Sequence, residues 1–531
     1  MMQLRPYQRE AKEAILSAWN GGVDKTLLVL PTGTGKTVVF ASVVDERVRD
    51  GGRALILAHR AELLDQAADK LAKTTGLQCA VEKAEQKAVN SLFPVTVGSV
   101  QTLTRDKRLN AYPQDYFNTI VVDEAHHAIS DSYQKILEHF DGAKVLGVTA
   151  TPDRGDMRNL GQYFENVAYE YSLIKAIKDG YLCPIKVLNI PLSIDLTDVA
   201  IQSGDYQVSG LGSALDPYLE QIADEMVKVC KDRKTVVFLP LIATSQKFCE
   251  MLRARGLSAA EVNGDSDDRA EKLAAFDRGD YQIMCNAMLL TEGWDCPSVD
   301  CIVILRPTKV RSLYCQMVGR GTRINEGKSE LLVLDFLWLT ERHELCRPAC
   351  LVARNKEVAD RMTEVIAEAD GPLDLEATEI AASEDVQEAR EKALADQLKA
   401  MRTRKRKLVD PLQFEMSIAA EDLSGYEPSF GWEMAPTTDA QKRTLENFGI
   451  LPDIIENAGK ASLLIDRLIK RAREGYSTPK QIRLLERYGF LHVGEWAFDD
   501  ASKMIGLIAE HGWSVPGFIT PRTYNPKEVS A

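Results

Sequence analysis

The chain has 531 residues, 45% of them hydrophobic and 27% charged, with a formal net charge of −13. That length exceeds a single hydrophobic core and predicts about three domains. No apolar run approaches the about 20 residues that span a bilayer, so no membrane role is expected. The acidic balance excludes a protein coated in basic surface, although a local cleft can be positive on an acidic molecule.

Ten Cys are scattered without CxxC spacing, and the N-terminus lacks the apolar core of a signal peptide. Reduced thiols and a cytoplasmic location are therefore expected. Cys346 and Cys350 are the closest pair, with no second pair nearby to complete a zinc site.

Leu4-Arg5-Pro6-Tyr7-Gln8 opens the chain, and helix-compatible residues follow to Trp19. The Gln8 amide offers both a donor and an acceptor, so it suits an adenine edge. Next, the apolar run Leu27–Leu30 meets a turn containing Thr32, Gly33, Thr34, Gly35, Lys36 and Thr37, and a helix-compatible run begins at Val38. A strand, a Gly-rich loop and a helix in that order hold nucleotide phosphates. Gly33 and Gly35 let backbone N–H groups approach the phosphates, Lys36 would reach the β and γ phosphates, and the Thr37 hydroxyl would ligate Mg²⁺. Leu30 stands where the strict motif has Gly.

Two more strands, Arg53–Ala58 and Val95–Ser99, end in polar residues, His59 and Arg60 after the first, Gln101 and Thr102 after the second. In an open parallel sheet the carboxyl edge is where ligands bind. Thr119–Val122 then carries Asp123 and Glu124 at its end, with His126 beyond. Asp123 would hold the metal through water, and Glu124 would orient or deprotonate the attacking water. Val145–Val148 leads into Thr149 and Thr151, whose hydroxyls would sense the carboxylates and relay nucleotide state.

After an irregular connection expected over residues 196–214, a second sheet is read from Lys234–Leu239, Ala259–Asn263 and Ile283–Asn286, with a helix over Ile242–Arg255. Leu290-Thr291-Glu292-Gly293-Trp294-Asp295 and Gln316-Met-Val-Gly-Arg320-Gly-Thr-Arg323 carry its chemistry. Arg320 and Arg323, three apart, would share one side of a helical turn and face one target. Arginine suits the charge that develops on a transferring γ-phosphoryl group.

These stretches, in this order, resemble the motifs of superfamily 2 helicases, with Asp123–His126 as the DEAH form of motif II. The wording Leu-Arg-Pro-Tyr-Gln, Glu-Gly-Trp-Asp and Gly-Arg-Gly-Thr-Arg is most similar to the RadD-like bacterial and phage DNA helicases. That group commonly carries a Cys-rich zinc element after the motor, and only Cys346 and Cys350 stand there in this chain. The resemblance implies an α/β fold of two tandem RecA-like parallel-sheet domains followed by a mainly helical C-terminal region. It implies ATP and Mg²⁺ as cofactors, Gly293 and Asp295 near the nucleotide, and His126, Thr149, Thr151 and Gln316 in coupling. His59, Arg60, Ser99, Gln101, Thr102 and Thr291 match positions that contact nucleic-acid backbone.

The C-terminal part is strongly charged from Val352 to Met401, with a helical arm expected over Glu384–Leu408 that ends in the basic run Arg402–Lys407. Such a run either contacts phosphates or simply complements a helix C-terminus. Beyond the loop from Tyr426 to Pro436 a repeat with an offset of 40 residues pairs Thr438 with Thr478, Gln441 with Gln481, Leu445 with Leu485, and Ser462 with Ser502. Each copy reads as a helix pair capped by its Thr, with Gly449 or Gly489 stopping the first helix. The expected domains are 1–190, 215–345, a charged arm at 350–425 and a helical domain at 436–515. The expected function is an ATP-dependent DNA helicase or translocase acting on single-stranded, branched or duplex DNA. An RNA helicase and a non-catalytic nucleic-acid-binding module are the alternatives, and residues 436–515 are the place for a protein partner.

Overall fold

The computed structural model describes residues 3–526 apart from 59–60, 85, 151–156, 158, 203–204, 288–289, 291–293, 295, 340–344, 354, 370, 401–407, 425 and 427. Apolar runs alternate with helices from the start, giving β1 (Lys25–Val29), β2 (Ala54–Ala58), β3 (Cys79–Glu82), β4 (Val95–Ser99), β5 (Thr119–Asp123), β6 (Lys144–Thr149) and β7 (Asn166–Glu170). They pair in the order β3-β4-β2-β5-β6-β1-β7, every pair parallel. Both faces are covered, which is why β2 and β4 are buried at every position.

Neighbouring residues on a strand face opposite sides, and the two cores follow that alternation. Leu28, Ile56 and Val121 pack beneath helices Pro6–Asn20, Lys36–Arg49 and Ala61–Thr75. Leu27, Leu55, Leu57 and Ile120 pack against Tyr133, Ile136 and Leu137 of helix Asp131–His139. The parallel register brings strand ends together: Val29 lies beside Thr149, Asp123 beside Val148, and Ala58 beside Ser99. The loops that carry the motifs therefore emerge along one carboxyl edge.

A second sheet contains β8 (Ile185–Asp195), β11 (Thr235–Phe238), β12 (Ala259–Val262), β13 (Ile283–Asn286), β14 (Cys301–Ile304), β15 (Leu331–Leu339) and β16 (Leu373–Asp374). The order is β12-β13-β11-β14-β15-β8-β16, parallel except for the last pair. The first domain therefore ends before β8 rather than at residue 190. Ile185 to Ile190 pairs in parallel with Leu331 to Phe336, and the pairing resumes beyond a register shift to reach Asp195 opposite Leu339. Pro191 interrupts the apolar run in the sequence between the two paired stretches.

The connection expected to be irregular is structured. β9 (Ile201–Gln202) and β10 (Asp205–Tyr206) form a hairpin, and helix Val208–Leu215 follows. Val199, Tyr206, Leu211 and Leu215 join the second lobe's core. Asp205 accepts hydrogen bonds from the Lys309 N–H (2.9 Å) and the Thr308 hydroxyl (2.8 Å), pinning the loop after β14.

The charged region is likewise not one separate arm. Two compact units divide the chain at Met1–Ser383 and Glu384–Ala531. Helix Lys356–Glu368 buries Val358, Met362 and Ile366, four residues apart, and β16 adds to the second sheet. Residues 350–383 thus belong with the motor. Helix Leu375–Ala400 begins before the expected arm and contains the unit boundary, and the basic run Arg402–Lys407 lies outside the described residues.

The second unit contains the repeat as helix pairs Asp439–Phe448 with Ala458–Glu474 and Pro479–Arg487 with Phe498–Glu510. The two copies use the same hydrogen bonds. Gln441 and Gln481 close capping boxes with Thr438 and Thr478. The Gln441 amide donates to the Ala458 carbonyl and Ser462 hydroxyl, both at 2.9 Å. Gln481 does the same to Phe498 (3.1 Å) and Ser502 (2.8 Å). One core, including Leu445, Leu464, Ile482, Leu485 and Met504, runs through both copies. Among the described residues no helix is long and apolar enough to cross a membrane.

Candidate nucleotide site

The loop between β1 and helix Lys36–Arg49 is shaped by two glycines in the left-handed region, Gly33 at φ 91° and Gly35 at φ 83°. Gly35 is also the N-cap of that helix, so Lys36 and Thr37 occupy its first turn, where N–H groups have no partner within the helix. A side chain at Gly35 would collide with Gln8, whose Nε2 lies 2.7 Å from the Cβ position.

Gln8, expected to read adenine, supports the phosphate loop in the structure. Its Nε2 donates to the Thr34 carbonyl (3.1 Å), and its Oε1 accepts from the Arg5 N–H (3.0 Å). Both ends of the amide are engaged within the protein, and the phosphate loop is one of the partners. Tyr7 adds a second donor to the same carbonyl at 2.5 Å and stacks on Tyr171, with ring centroids 4.5 Å apart. Tyr7 is adjacent to a residue that the sequence singled out, yet nothing in its residue type marked it as a support for the loop.

Two strands away, Asp123 closes β5, and the chain turns sharply at Glu124, which has φ 53°. A non-glycine residue there costs about 1–3 kcal/mol, and such residues cluster where function over-determines the geometry. The turn directs Glu124 toward the phosphate loop, where Lys36 Nζ lies 3.5 Å from its Oε1. His126 Nδ1 lies 3.6 Å from Oε2, beyond hydrogen-bond reach, and both atoms are buried without a hydrogen-bond partner. The Thr32 hydroxyl is buried in the same condition. Orphaned polar atoms beside a lysine and a Gly-rich turn fit a site made for a hydrated, phosphate-bearing group.

The two carboxylates are pushed apart electrostatically. Burial and then the charge of Glu124 push Asp123 up to about 6. Burial acts in the same sense on Glu124, but Lys36 and His126 hold it below the usual carboxylate range. Environments that separate neighbouring carboxylates assign them different tasks. Lys70, on helix Ala61–Thr75, also reaches this field. Its pKa is lowered as surrounding protein displaces water from a side chain that stays exposed, Arg323 adds to the effect, and Asp123 opposes it.

The second lobe completes the site. Helix Arg311–Gly319 buries Gln316 and ends at Gly319, so Arg320 and Arg323 do not share a helical turn as expected. The backbone packs closely on both sides of the break. A Cβ on Gly319 would fall 2.5 Å from Thr32 Cβ in the first lobe, and one on Gly321 would collide with Leu331. Arg320 donates to the Trp294 carbonyl at 2.6 Å. Arg323 instead approaches the phosphate loop, its Cγ 3.3 Å from the Cβ position of Gly33. Thr149, at the end of β6, is buried, and its carbonyl accepts from the Leu30 N–H at 3.1 Å. The phosphate loop thus meets Glu124 through Lys36, and Arg323 across the lobes, while Arg320 is held to the Trp294 carbonyl.

The residues expected at nucleic acid diverge. Ser99 is buried as the N-cap of helix Val100–Leu103, and Gln101 is exposed. Thr102 is buried, and its hydroxyl accepts from the Ala84 N–H at 3.1 Å. His59, Arg60, Thr151, Thr291, Gly293 and Asp295 lie outside the described residues.

Residues 1–154 match the family model described as type III restriction enzyme, res subunit, and residues 218–325 match the helicase conserved C-terminal domain. The two matches cover the halves that the geometry joins. The chain belongs to superfamily 2 of the helicases. It is 31% identical over 378 residues to the putative ATP-dependent helicase IRC3 of Saccharomyces cerevisiae, covering 67% of this chain and 54% of that one. A fragment structure of a putative HsdR subunit of a type I restriction enzyme from Vibrio vulnificus matches with TM-score 0.50 and 26% identity, covering 63% of this chain and 64% of that one. The type ISP restriction-modification enzyme LlaBIII, solved bound to DNA, shares the fold over 96% of this chain and 40% of its own (TM-score 0.51, 16% identity). This superfamily 2 chain spans little more than half the length of such curated helicase relatives.

Proposed function

We propose that the chain is an ATP-dependent DNA helicase or translocase. One observation carries the reading: Thr32 and Gly33 of the phosphate loop pack directly on Gly319 and Arg323 of the second lobe. Nucleotide between such lobes holds the cleft closed, and hydrolysis releases it, which moves one lobe relative to the other. Lys36 and the loop N–H groups bind the phosphates, Glu124 positions the attacking water, and Arg323 faces the γ-phosphoryl group. Thr37 and Asp123 would hold Mg²⁺, whose charge would be shared with the phosphates. The preference for DNA is supported by the likeness to a restriction subunit and, at the level of the fold, to an enzyme solved on DNA.

ATP hydrolysis measured in parallel with single-stranded DNA, duplex DNA and RNA tests this. DNA is expected to stimulate turnover, with strand displacement or translocation on the same substrate. Stimulation by RNA alone would redirect the assignment, and turnover indifferent to nucleic acid would contradict it.

A further inference from the structure

The loop that carries Arg323 is held by residues outside every motif. Three consecutive carbonyls, those of Gly321, Thr322 and Arg323, are each occupied. Lys328 Nζ donates to the Gly321 and Arg323 carbonyls, the latter at 2.8 Å. The Cys183 N–H donates to the Thr322 carbonyl at 2.8 Å, and the Cys183 thiol lies 3.5 Å from the Gly321 carbonyl. The third Lys328 contact goes to the Pro297 carbonyl at 3.3 Å, in the segment that follows Trp294. All three donors of the ammonium are therefore committed to backbone.

This is an unusual use of a lysine. Among the described residues no carboxylate lies within ion-pair distance of it. Burial lowers its pKa, the cost of drawing the ammonium from water, and the more distant Cys183 and Asp300 offset that only in part. A loop that needed only closure could be satisfied by its own hydrogen bonds, as the Thr322 hydroxyl does with the Gly319 carbonyl at 3.1 Å. The ammonium instead ties the backbone of Arg323 to the stretch whose Trp294 carbonyl receives Arg320.

Cys183 adds a link to the first lobe. It stands between Leu182, whose Cδ2 lies 3.1 Å from the Cβ position of Gly33, and Pro184, whose carbonyl accepts from the Leu331 N–H at 2.8 Å as β15 begins. The inter-lobe linker therefore touches phosphate loop, arginine loop and second sheet in three consecutive residues.

We propose that Lys328 is a positioning residue that aims Arg323 at the nucleotide by gripping the Gly321–Arg323 backbone together with the linker residue Cys183. The proposal rests on the nucleotide reading above. A guanidinium misplaced by an ångström still leaves the substrate bound but fails the transition state, so the effect belongs on kcat.

DNA-stimulated ATPase kinetics of the full chain test it with Lys328→Met, Lys328→Arg, Arg323→Ala and the Arg323→Ala/Lys328→Met pair. Lys328→Met is expected to lower kcat about 10–100-fold with the KM for ATP within about twofold. Lys328→Arg, which keeps charge and donors, is expected to recover most of that loss. The double variant is expected to be no slower than Arg323→Ala, because residues acting as one unit are not additive. If Lys328→Met does not fold, Lys328→Gln takes its place with the same expectations for kcat, KM and the double variant. Wild-type kcat in Lys328→Met, or losses that multiply in the double variant, would overturn the proposal. Arg323→Ala hydrolysing like wild type would instead overturn the nucleotide reading on which it rests.

Discussion

Gly319 shows what a single missing side chain permits. Its Cβ position lies 2.5 Å from Thr32 Cβ, closer than a real carbon contact allows. Gly319→Ala is expected to force the lobes apart at the nucleotide, lowering kcat at least about 10-fold while helix Arg311–Gly319 remains intact. ATPase kinetics alongside circular dichroism check it, and a fully active variant would show that the two loops need not touch. Glu124→Gln separates binding from chemistry. Nucleotide binding is expected to persist while turnover falls by about 10²-fold or more. Equilibrium binding of labelled ATP with single-turnover hydrolysis distinguishes the two, and joint loss of both would make Glu124 structural. At this scale the candidate residues stand out in the sequence because Lys, Thr, Asp, Glu and Arg carry the chemistry such a site would need. Their neighbours were not. Tyr7, Cys183 and Lys328 act through backbone carbonyls, and a hydrogen bond to backbone leaves no mark on the partner's residue type. Gln8 was legible as an important amide, but its partners, the Thr34 carbonyl and Arg5 N–H, depend on how its helix meets the phosphate loop.

The elements were legible wherever period and punctuation agreed. Thr438 with Gln441 and Thr478 with Gln481 are capping boxes in the sequence and in the structure. Their amides also bridge to the next helix, so Gln441→Ala or Gln481→Ala is expected to cost about 1–2 kcal/mol and to raise amide exchange in that helix pair. Hydrogen-exchange mass spectrometry of the full chain checks it, and unchanged protection would reduce the shared hydrogen bonds to decoration. β8 was hidden because Pro191 interrupts it, and only pairing with β15 reveals where it belongs. The strand pair of Ile201–Gln202 with Asp205–Tyr206 was hidden because its value lies in a distant loop that Asp205 holds. β15 also carries Asp335, which burial pushes up to about 6 against Arg347, 3.9 Å away. Its folded pKa exceeds the ordinary carboxylate value of about 3.9, so the stability it contributes is complete below that value and lost as pH rises through about 6. Asp335→Asn is expected to leave Tm unchanged near pH 4 and raise stability by about 1–3 kcal/mol near pH 8. Parallel Tm curves across that range would contradict it.

For the whole molecule, the order of the motifs announced two lobes, and each lobe's sheet follows from buried parallel strands. What the order could not announce was the contact itself. The proposed nucleotide site, divided between Lys36 and Glu124 on one sheet and Arg323 on another, is assembled only once Gly33, Leu182 and Gly319 have packed the lobes together. That junction is where the two lobes would act together on the nucleotide. It is tested most directly by the DNA-stimulated ATPase rate of Arg323→Ala beside wild type. A transition-state arginine supplied by the second lobe is expected to be worth about 10³-fold or more in kcat, with ATP binding largely kept. An Arg323→Ala protein that hydrolyses ATP at the wild-type rate would contradict a site shared between the lobes.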